Sequence, residues 1–147
     1  MTLREVNETD LNGLLKLYTE LHSNAMPECG EKPAGIWAEI LGNKNHHIIV
    51  AEEEGRIVSS CTLLIVPNLT HAQRPYALIE NVITATDFRR RGLASACMDH
   101  AKDIAVRADC YKIMLMTGSK QESVLTFYER AGYNREDKTA FIQWLNP

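Results

Sequence analysis

The part of the sequence best suited to chemistry is a basic, glycine-containing turn that runs into a predicted helix. Residues 89–94 read RRRGLA and follow a strand-like run that ends near residue 85. Backbone N–H groups at the start of a helix have no partners within the helix, and together with the helix dipole they attract anions. Gly92 would let the backbone approach an anion closely, and Ala94 is small enough to leave that approach open. The segment therefore indicates a diphosphate site that needs no metal.

Two familiar phosphate-binding signatures are absent from the sequence. It contains neither G-x-x-x-x-G-K-[ST] nor G-x-G-x-x-G, which disfavours a P-loop nucleotidase and a Rossmann dinucleotide site. What remains is the pattern Arg89-x-x-Gly92-x-Ala94. Taken alone, the arginines could also form a solvated basic turn that binds nothing.

A second polar feature interrupts an apolar strand. The run YALIENVITA, residues 76–85, predicts a long strand, yet Glu80 and Asn81 stand at its centre. Glu80 could be a structural carboxylate paired with an arginine, or an edge residue that faces solvent, and Asn81 could be no more than a bulge residue.

Hydrophobic periodicity predicts the elements that position these residues. The predicted strands are 2–6, 47–51, 56–66, 76–85 and 110–117, with the last strand or strands at 133–135 and 139–145. The predicted helices are a first one that Asn7 caps and that reaches His22, then 36–41, 92–108 and 122–131. Residues 24–35 and 67–75 are predicted loops, residues 54–55 a tight turn, and Gly132 a helix C-cap. This order is neither strict βαβ alternation nor all-β, so we expect a mixed sheet in an α/β fold.

The composition predicts one globular domain, residues 1–147, since 45% of the residues are hydrophobic and 24% are charged. A net charge of −3 gives no support for a nucleic-acid partner. No apolar run could span a bilayer and no signal peptide is evident, so we expect no membrane partner and a cytoplasmic location. No metal-type spacing occurs, so no metal is expected, and the thiols should be reduced at Cys29, Cys61, Cys97 and Cys110.

These features resemble the GCN5-related N-acetyltransferase (GNAT) family. Its hallmark is Q/R-x-x-G-x-G/A between the fourth strand and the next helix, which residues 89–94 match. A second family element is a tyrosine in a pattern like FYEKxGF, here FYERAGY at residues 127–133, which contains Tyr128. The segments IENVIT and CYKIMLMTGS are similar to glucosamine-6-phosphate N-acetyltransferases. The resemblance, over about residues 2–145, implies a mostly antiparallel sheet that splays at the cofactor site and is flanked by helices.

The resemblance implies acetyl-CoA as the co-substrate. The strand before the turn would pair with the pantetheine, and the amides from residue 89 or 90 through 95 would hold the pyrophosphate. Gln121 stands where many members carry an asparagine that binds CoA. The residues that would bind the cofactor are Val82, Ile83, Thr84, Arg89, Arg90, Arg91, Gly92, Leu93, Ala94, Ser95 and Gln121.

The resemblance also implies direct acetyl transfer to a primary amine of a small molecule, in a ternary complex without an acyl-enzyme. An N–H group of the strand, most simply that of Val82, would stabilise the oxyanion. Tyr128 would protonate the leaving thiolate, and Glu80 would take the proton of the amine, directly or through water. Tyr128 could instead be a core aromatic, and Cys97 and Cys110 would be bystanders.

Two other functions stay open. The same fold could acetylate protein amino groups, or it could serve as a non-catalytic CoA-binding regulatory module, against which the presence of both Tyr128 and Glu80 argues. A homodimer is the family expectation, although no feature of the sequence specifies it. We expect the acceptor to be selected by residues 24–36, residues 67–75 and the C-terminal strand.

Overall fold

A five-stranded sheet forms the centre of the computed structural model, which describes residues 1–21, 25–28 and 30–146. The strands lie across the sheet in chain order, as β1 (Thr2–Glu5), β2 (His46–Glu53), β3 (Arg56–Val66), β4 (Tyr76–Thr84) and β5 (Ile113–Leu115). Neighbours from β1 to β4 are antiparallel and β5 is parallel to β4, which confirms the predicted mixed sheet. His22, Asn24 and Cys29, assigned from the sequence to the first helix, a loop and the reduced thiols, lie outside the described residues.

Helices flank this sheet in the described part of the chain. They are α1 (Leu11–Tyr18), α2 (Glu31–Gly42), the short α3 (Thr70–Gln73), α4 (Leu93–Arg107) and α5 (Glu122–Arg130). Two 3₁₀ turns, Glu8–Asp10 and Thr86–Phe88, precede α1 and α4. The residues of β2 alternate between the two faces of the sheet. Ile48 and Val50 are buried with Leu14 of α1 and Trp37 of α2, whereas Ile49 is buried with residues of α4.

The 3₁₀ turn that leads into α1 is fixed by reciprocal capping, in which Asn7 is the N-cap; the sequence had predicted Asn7 as a cap, but for the helix itself. The Asn7 side chain accepts a hydrogen bond from the Thr9 N–H at 2.9 Å, and the Asp10 carboxylate accepts one from the Asn7 N–H at 2.7 Å. Arg4 of β1 donates to both oxygens of Asp10, at 2.6 and 3.0 Å, and to Glu52 of β2 at 2.7 Å. The helix start is thereby tied to the first two strands.

The predicted loop over residues 24–35 is wrong in its second half. Helix α2 begins at Glu31 and includes Pro33 and Gly35. Pro33 is the third helical residue, and the first four N–H groups of a helix need no intrahelical partner, so proline is tolerated there. Two other boundaries also differ from the prediction. Residues 67–75 contain the short α3, and β5 is only three residues long where 110–117 was predicted.

The C-terminal strands predicted at residues 133–135 and 139–145 are absent from the described structure. Helix α5 ends where Gly132 adopts a φ of +95°, as its C-cap position predicted, and the chain continues without regular structure. Apolar alternation is not enough for a strand, because a strand also needs a neighbour that takes up its backbone hydrogen bonds. No described strand pairs with the outer edge of β5, and residues 138–146 are exposed.

Candidate active site

The sheet opens between β4 and β5. Their parallel pairing covers only Ala77–Ile113, Leu78–Met114 and Ile79–Leu115, and it ends there. From Glu80 to Thr84, the only described strand beside β4 is β3. Apart from the Thr84 carbonyl, which accepts a hydrogen bond from Arg89, the backbone groups of this stretch that point away from β3 are free to bind a ligand that runs along the strand.

A β-bulge lies at the point where the strands separate. Ser60 pairs with Ile83 and Thr62 pairs with Glu80, so the single residue between Ser60 and Thr62 faces both Asn81 and Val82. Asn81 takes a positive φ of +51°, which asparagine tolerates better than most residues. The bulge interpretation of Asn81 thus agrees with the geometry. Such a bulge bends the strand and redirects its side chains, a device common beside active sites.

A cavity of about 160 Å³ fills the opening and brings Glu80 and Tyr128 together on its wall. Asn81 and Val82 from the bulge and Met116 from the segment after β5 also line it. The loop that follows β5 adds residues 117–119, the end of the CYKIMLMTGS segment.

Tyr128 lies in the last turn of α5, and its ring packs against two aromatic neighbours. The ring centroids of Phe127 and Tyr133 lie 5.0 and 6.4 Å from that of Tyr128, both edge-on. Burial raises the pKa of Tyr128 above its ordinary value. No described residue forms a hydrogen bond with its hydroxyl. Tyr128 therefore presents a protonated, unengaged donor at neutral pH.

Glu80 is exposed on the same cavity wall. Its cross-strand partner is the buried Thr62, and no ion pair joins Glu80 to another described residue. The alternative of a buried carboxylate paired with an arginine does not fit this placement. Glu80 is an unpaired carboxylate beside the free edge of β4, which is suitable for taking a proton from a bound amine.

The predicted anion site lies at the start of α4. Gly92 is the residue before the helix and has a φ of +76°, which glycine adopts without strain. No side chain caps this end, so the first-turn N–H groups at Leu93, Ala94 and Ser95 have no capping partner. The Leu93 side chain is buried in the core, which anchors the helix start to the sheet.

The three arginines before α4 differ in what they contact. The Arg89 Nε donates to the Thr84 carbonyl at 3.2 Å. Arg91 lies 4.6 Å from the centre of the Phe88 ring and 3.4 Å from the Glu53 carboxylate. Arg90, at a φ of +63°, forms no hydrogen bond with another described residue. Of the three arginines, Arg90 is thus the one with no hydrogen bond or ion pair to another described residue.

The three residues of β4 predicted to bind the pantetheine differ in the direction of their backbone groups. The Ala85 N–H bonds to the Val58 carbonyl at 2.8 Å, and Ile83 pairs with Ser60, so the backbone of Ile83 points to β3. By alternation, Val82 and Thr84 direct their backbone groups to the open side. The contribution of Ile83 to the cofactor site stays a prediction.

Gln121 is the residue before α5 and is exposed. Its backbone N–H donates to the Ser119 hydroxyl at 3.2 Å, and Ser119 lines the 160 Å³ cavity. Gln121 is therefore near the candidate site, while its role as a cofactor ligand stays a prediction.

A second cavity of about 290 Å³ adjoins the first on the α1 side. It shares Leu21 and Asn81 with the first cavity, and its other walls include Leu15, Tyr18 and Pro27. The Tyr18 hydroxyl is buried without a hydrogen-bond partner, and burial raises its pKa. This mostly apolar hollow adjoins the bulge, and hollows of this kind are typical of small-molecule sites.

The described residues provide neither a reactive thiol nor a metal site. Cys61, Cys97 and Cys110 are free thiols, and burial raises the pKa of Cys97 to about 11 and that of Cys61 further. Such thiols are poor nucleophiles at neutral pH. Within residues 1–21, 25–28 and 30–146, no three His, Cys, Asp or Glu side chains lie together as a metal site. No helix in the same ranges is long and apolar enough to cross a membrane.

A mixed sheet that splays beside an uncapped helix start, with helices on both faces, defines an acyl-CoA N-acyltransferase fold. The model of the Acetyltransferase (GNAT) family matches residues 11–133, and the chain belongs to this family. The relationship inferred from the two sequence motifs is confirmed.

Individual relatives agree with this membership. The chain is 30% identical over 140 residues to a glucosamine 6-phosphate N-acetyltransferase of Trypanosoma brucei brucei, covering 94% of this chain and 92% of that protein. The structure of a candidate acetyltransferase of Agrobacterium tumefaciens str. C58 has a TM-score of 0.90 at 40% identity, with 98% and 100% of the two chains covered. A glucosamine-6-phosphate N-acetyltransferase of Arabidopsis thaliana shares the fold, with a TM-score of 0.87 at 21% identity over 99% and 98% of the chains.

Proposed function

We propose that this protein is an acetyl-CoA-dependent N-acetyltransferase that acts on a primary amine of a small molecule. One observation carries the proposal. The free edge of β4 runs from the cavity that holds Glu80 and Tyr128 to the uncapped start of α4. A cofactor with a thioester at one end and a diphosphate further along an extended arm fits this line.

The pantetheine of acetyl-CoA would bond to the backbone of β4 at Val82 and Thr84. The pyrophosphate would accept hydrogen bonds from the first-turn N–H groups of α4, with Gly92 leaving room for the approach. The free charge of Arg90 would add attraction at that end. These groups belong to the chain alone, so no metal is needed to hold the cofactor.

The reaction would be a direct transfer. The neutral amine attacks the thioester carbonyl, a new C–N bond forms, and the C–S bond to CoA breaks. The Val82 N–H would stabilise the oxyanion, Glu80 would accept the proton of the amine, and the Tyr128 hydroxyl would protonate the departing thiolate. Atoms balance without any further reactant, since one proton leaves the amine and one reaches the sulfur.

The acceptor side favours a small molecule with an uncharged body. The described residues that line the two cavities include no lysine, arginine or histidine, and the 290 Å³ cavity is mostly apolar. The 30% identical relative is named for an amino-sugar phosphate, so that acceptor belongs in any screen. The phosphate of a phosphorylated acceptor would need a cationic side chain that lies outside these two cavities.

Release of CoA thiol from acetyl-CoA, measured against a panel of amines, tests the proposal. The panel should pair each amino sugar phosphate with its unphosphorylated form and include a lysine-bearing peptide. We expect turnover with at least one small amine. Tight acetyl-CoA binding without turnover on any amine would instead support the regulatory module. Turnover on the peptide alone would favour a protein acetyltransferase. If acetyl-CoA does not bind, the proposal is wrong.

A further inference from the structure

The larger of the two cavities at the site, with a volume of about 290 Å³, has a mostly aliphatic wall. The described residues that line it are Leu15, Tyr18, Leu21, Ala25, Pro27 and Asn81. Four of these six have side chains without any polar atom, and none of the six is charged. A wall of this composition holds a ligand by removing its apolar surface from water, and it offers few partners to polar groups.

Tyr18 contributes its ring, and not its hydroxyl, to this wall. The hydroxyl oxygen is buried and has no hydrogen-bond partner among the described residues. Because that oxygen has almost no accessible surface, the part of Tyr18 that lines the cavity is the aromatic ring. An aromatic ring packs well against other rings and against alkyl groups. Asn81 is therefore the one polar side chain that the described wall offers to a ligand.

The smaller cavity, of about 160 Å³, carries the charge of the site. Glu80 has the only charged side chain among the described residues that line either cavity. Asn81 follows it in the bulge and lines both cavities, so the two hollows meet there. An amine held beside the Glu80 carboxylate would extend its body past Asn81 into the larger cavity. Such an acceptor needs a charge at its amine end alone.

The volume of the larger cavity sets the size of the body that it can take. An apolar cavity of about 150 Å³ is large enough to bind benzene, and this one has about twice that volume. One aromatic ring or a branched alkyl group therefore fits. Each methylene buried in such a wall should raise the preference for a ligand about threefold. A hydroxyl at the same depth loses its water and finds few partners, and a phosphate group loses far more.

Leu15 is well placed to limit that size. It lies in the middle of α1, is partly buried and lines the larger cavity without lining the smaller one. A change of volume at Leu15 therefore acts on the body of the acceptor and not on the wall that holds Glu80 and Tyr128.

From these observations we infer that the acceptor is a primary amine on a short chain that ends in an apolar group, an arylalkylamine or an alkylamine, and that Leu15 limits the size of this group. The inference rests on the proposed function, because it assigns the acceptor of that reaction. It gives this chain a different acceptor class from the amino-sugar phosphate for which its 30% identical relative is named.

Release of CoA thiol from acetyl-CoA with three matched amines tests the acceptor class. The three, 2-phenylethylamine, ethanolamine and O-phosphoethanolamine, share one aminoethyl chain and differ only in its end, and glucosamine and glucosamine 6-phosphate are run beside them. We expect kcat/KM to be about 10- to 100-fold higher for 2-phenylethylamine than for ethanolamine, and lowest for the phosphorylated amines. A preference for a hydroxylated or phosphorylated amine would overturn this inference and leave the proposed function intact. No turnover of any amine would overturn both.

Two variants of Leu15 test its role by moving the preference in opposite directions. Leu15→Trp fills the cavity, so kcat/KM for 2-phenylethylamine should fall about tenfold or more, and that for ethylamine should fall much less. Leu15→Ala enlarges the cavity, so the preference should shift from 2-phenylethylamine towards the larger 2-(1-naphthyl)ethylamine. Because misfolding cannot produce opposite shifts, the pair separates selection of the acceptor from loss of structure.

Asn12→Trp is the matched control for the filled cavity. Asn12 lies on the same helix, is exposed and lines neither cavity, so the same tryptophan there should leave the order of the amines unchanged. Acetyl-CoA affinity, measured by calorimetry in each variant, verifies that the cofactor site is intact. An order of amines that is the same in both Leu15 variants as in the unaltered protein would overturn the role of Leu15.

Discussion

Tyr128 is partly buried, has a free hydroxyl and lies on the cavity wall. These three properties determine how loss of the hydroxyl should affect turnover. Tyr128→Phe keeps the ring packing and removes the donor, so we expect turnover to fall about 100-fold or more, as for loss of a general acid. Acetyl-CoA affinity should change little. Tyr133→Phe is the control, since Tyr133 packs against Tyr128 and also has a raised pKa, about 12, yet does not line the cavity. Equal losses in the two variants would remove Tyr128 from the acid role.

The raised pKa of Tyr128 sets a pH prediction of its own. A group whose pKa lies above its ordinary value of about 10 stays protonated through neutral and moderately alkaline solution. The acid function of Tyr128 should therefore persist to about pH 10 and decline only above it. In a profile of kcat against pH, this alkaline decline should be absent from Tyr128→Phe. A Tyr128-dependent decline centred well below pH 10 would contradict the assignment.

Glu80 is assigned to the opposite proton transfer, and its variant should show the opposite pH response. Glu80→Gln should lower kcat/KM about 100-fold at neutral pH, because the bound amine keeps its proton. The loss should shrink as the pH rises, since more of the amine is then neutral in solution. Glu80→Asp keeps a carboxylate, so its kcat/KM should lie between that of the unaltered protein and that of Glu80→Gln. A loss independent of pH would indicate that Glu80 only positions the acceptor.

Among the elements, the turn into α4 is where we expect backbone conformation to determine the affinity for acetyl-CoA. Gly92→Val should weaken acetyl-CoA binding by about tenfold or more, since it forces a β-branched residue to a φ of +76° and fills the approach to the helix amides. Binding is measured by calorimetry. Gly55→Val is the matched control for backbone strain, because Gly55 has a φ of +74° with open space around it and belongs to the turn between β2 and β3, outside the turn into α4. It should cost stability without affecting affinity. Unchanged affinity in Gly92→Val would mean that the diphosphate lies elsewhere.

The junction of β1, α1 and β2 predicts a pH-dependent stability. The Arg4 guanidinium holds the pKa of Asp10 below its ordinary value. A lowered carboxylate pKa contributes stability above the unfolded value of about 4, and this contribution is lost as the pH falls through the folded value. Asp10→Asn should therefore cost about 2 kcal/mol at neutral pH, and the difference should vanish in acid.

Urea unfolding at several pH values measures this effect. Asp87→Asn is the comparison, because the Arg56–Asp87 pair is well exposed and should matter little. A pH-independent deficit in Asp10→Asn would point to packing and not to charge.

The elements also show what local sequence could predict and what it could not. The turn of Glu54 and Gly55, the helix start at Gly92 and the end of α5 at Gly132 obey short-range rules and were predicted. The bulge at Asn81 depends on the register with β3, which no local pattern specifies. Likewise residues 139–145 alternate as a strand would, but a strand forms only where a neighbour is present.

At the scale of the whole molecule, the candidate site lies where the two cores meet. Tyr128 packs on the α4 side of the sheet, Tyr18 belongs to the α1 side, and the bulge at Asn81 lies between their cavities. The sequence placed Glu80 and Tyr128 on separate elements and could not show that they share a wall. In the proposed reaction, the cofactor and the acceptor would thus approach the bulge from different directions.

The overall charge is a poor guide to this molecule. A net charge of −3 would repel CoA at long range, yet interactions between exposed charges fade beyond about 8 Å at physiological ionic strength. Within that distance the start of α4 presents free N–H groups and the uncommitted Arg90. The proposed polyanionic cofactor would therefore be attracted locally by a protein that is acidic overall.

The missing cap of α4 has a consequence for folding. First-turn donors that no side chain satisfies are left to water, and a bound diphosphate would replace that water with charge-assisted hydrogen bonds. The cofactor would then be a thermodynamic component of the fold, linked to unfolding by mass action. At 100 times its dissociation constant it should add about 2.7 kcal/mol and raise the melting temperature by roughly 5–10 °C. The Gly92→Val variant should show a smaller increase, so melting curves recorded with and without acetyl-CoA would measure how far the ligand completes the helix.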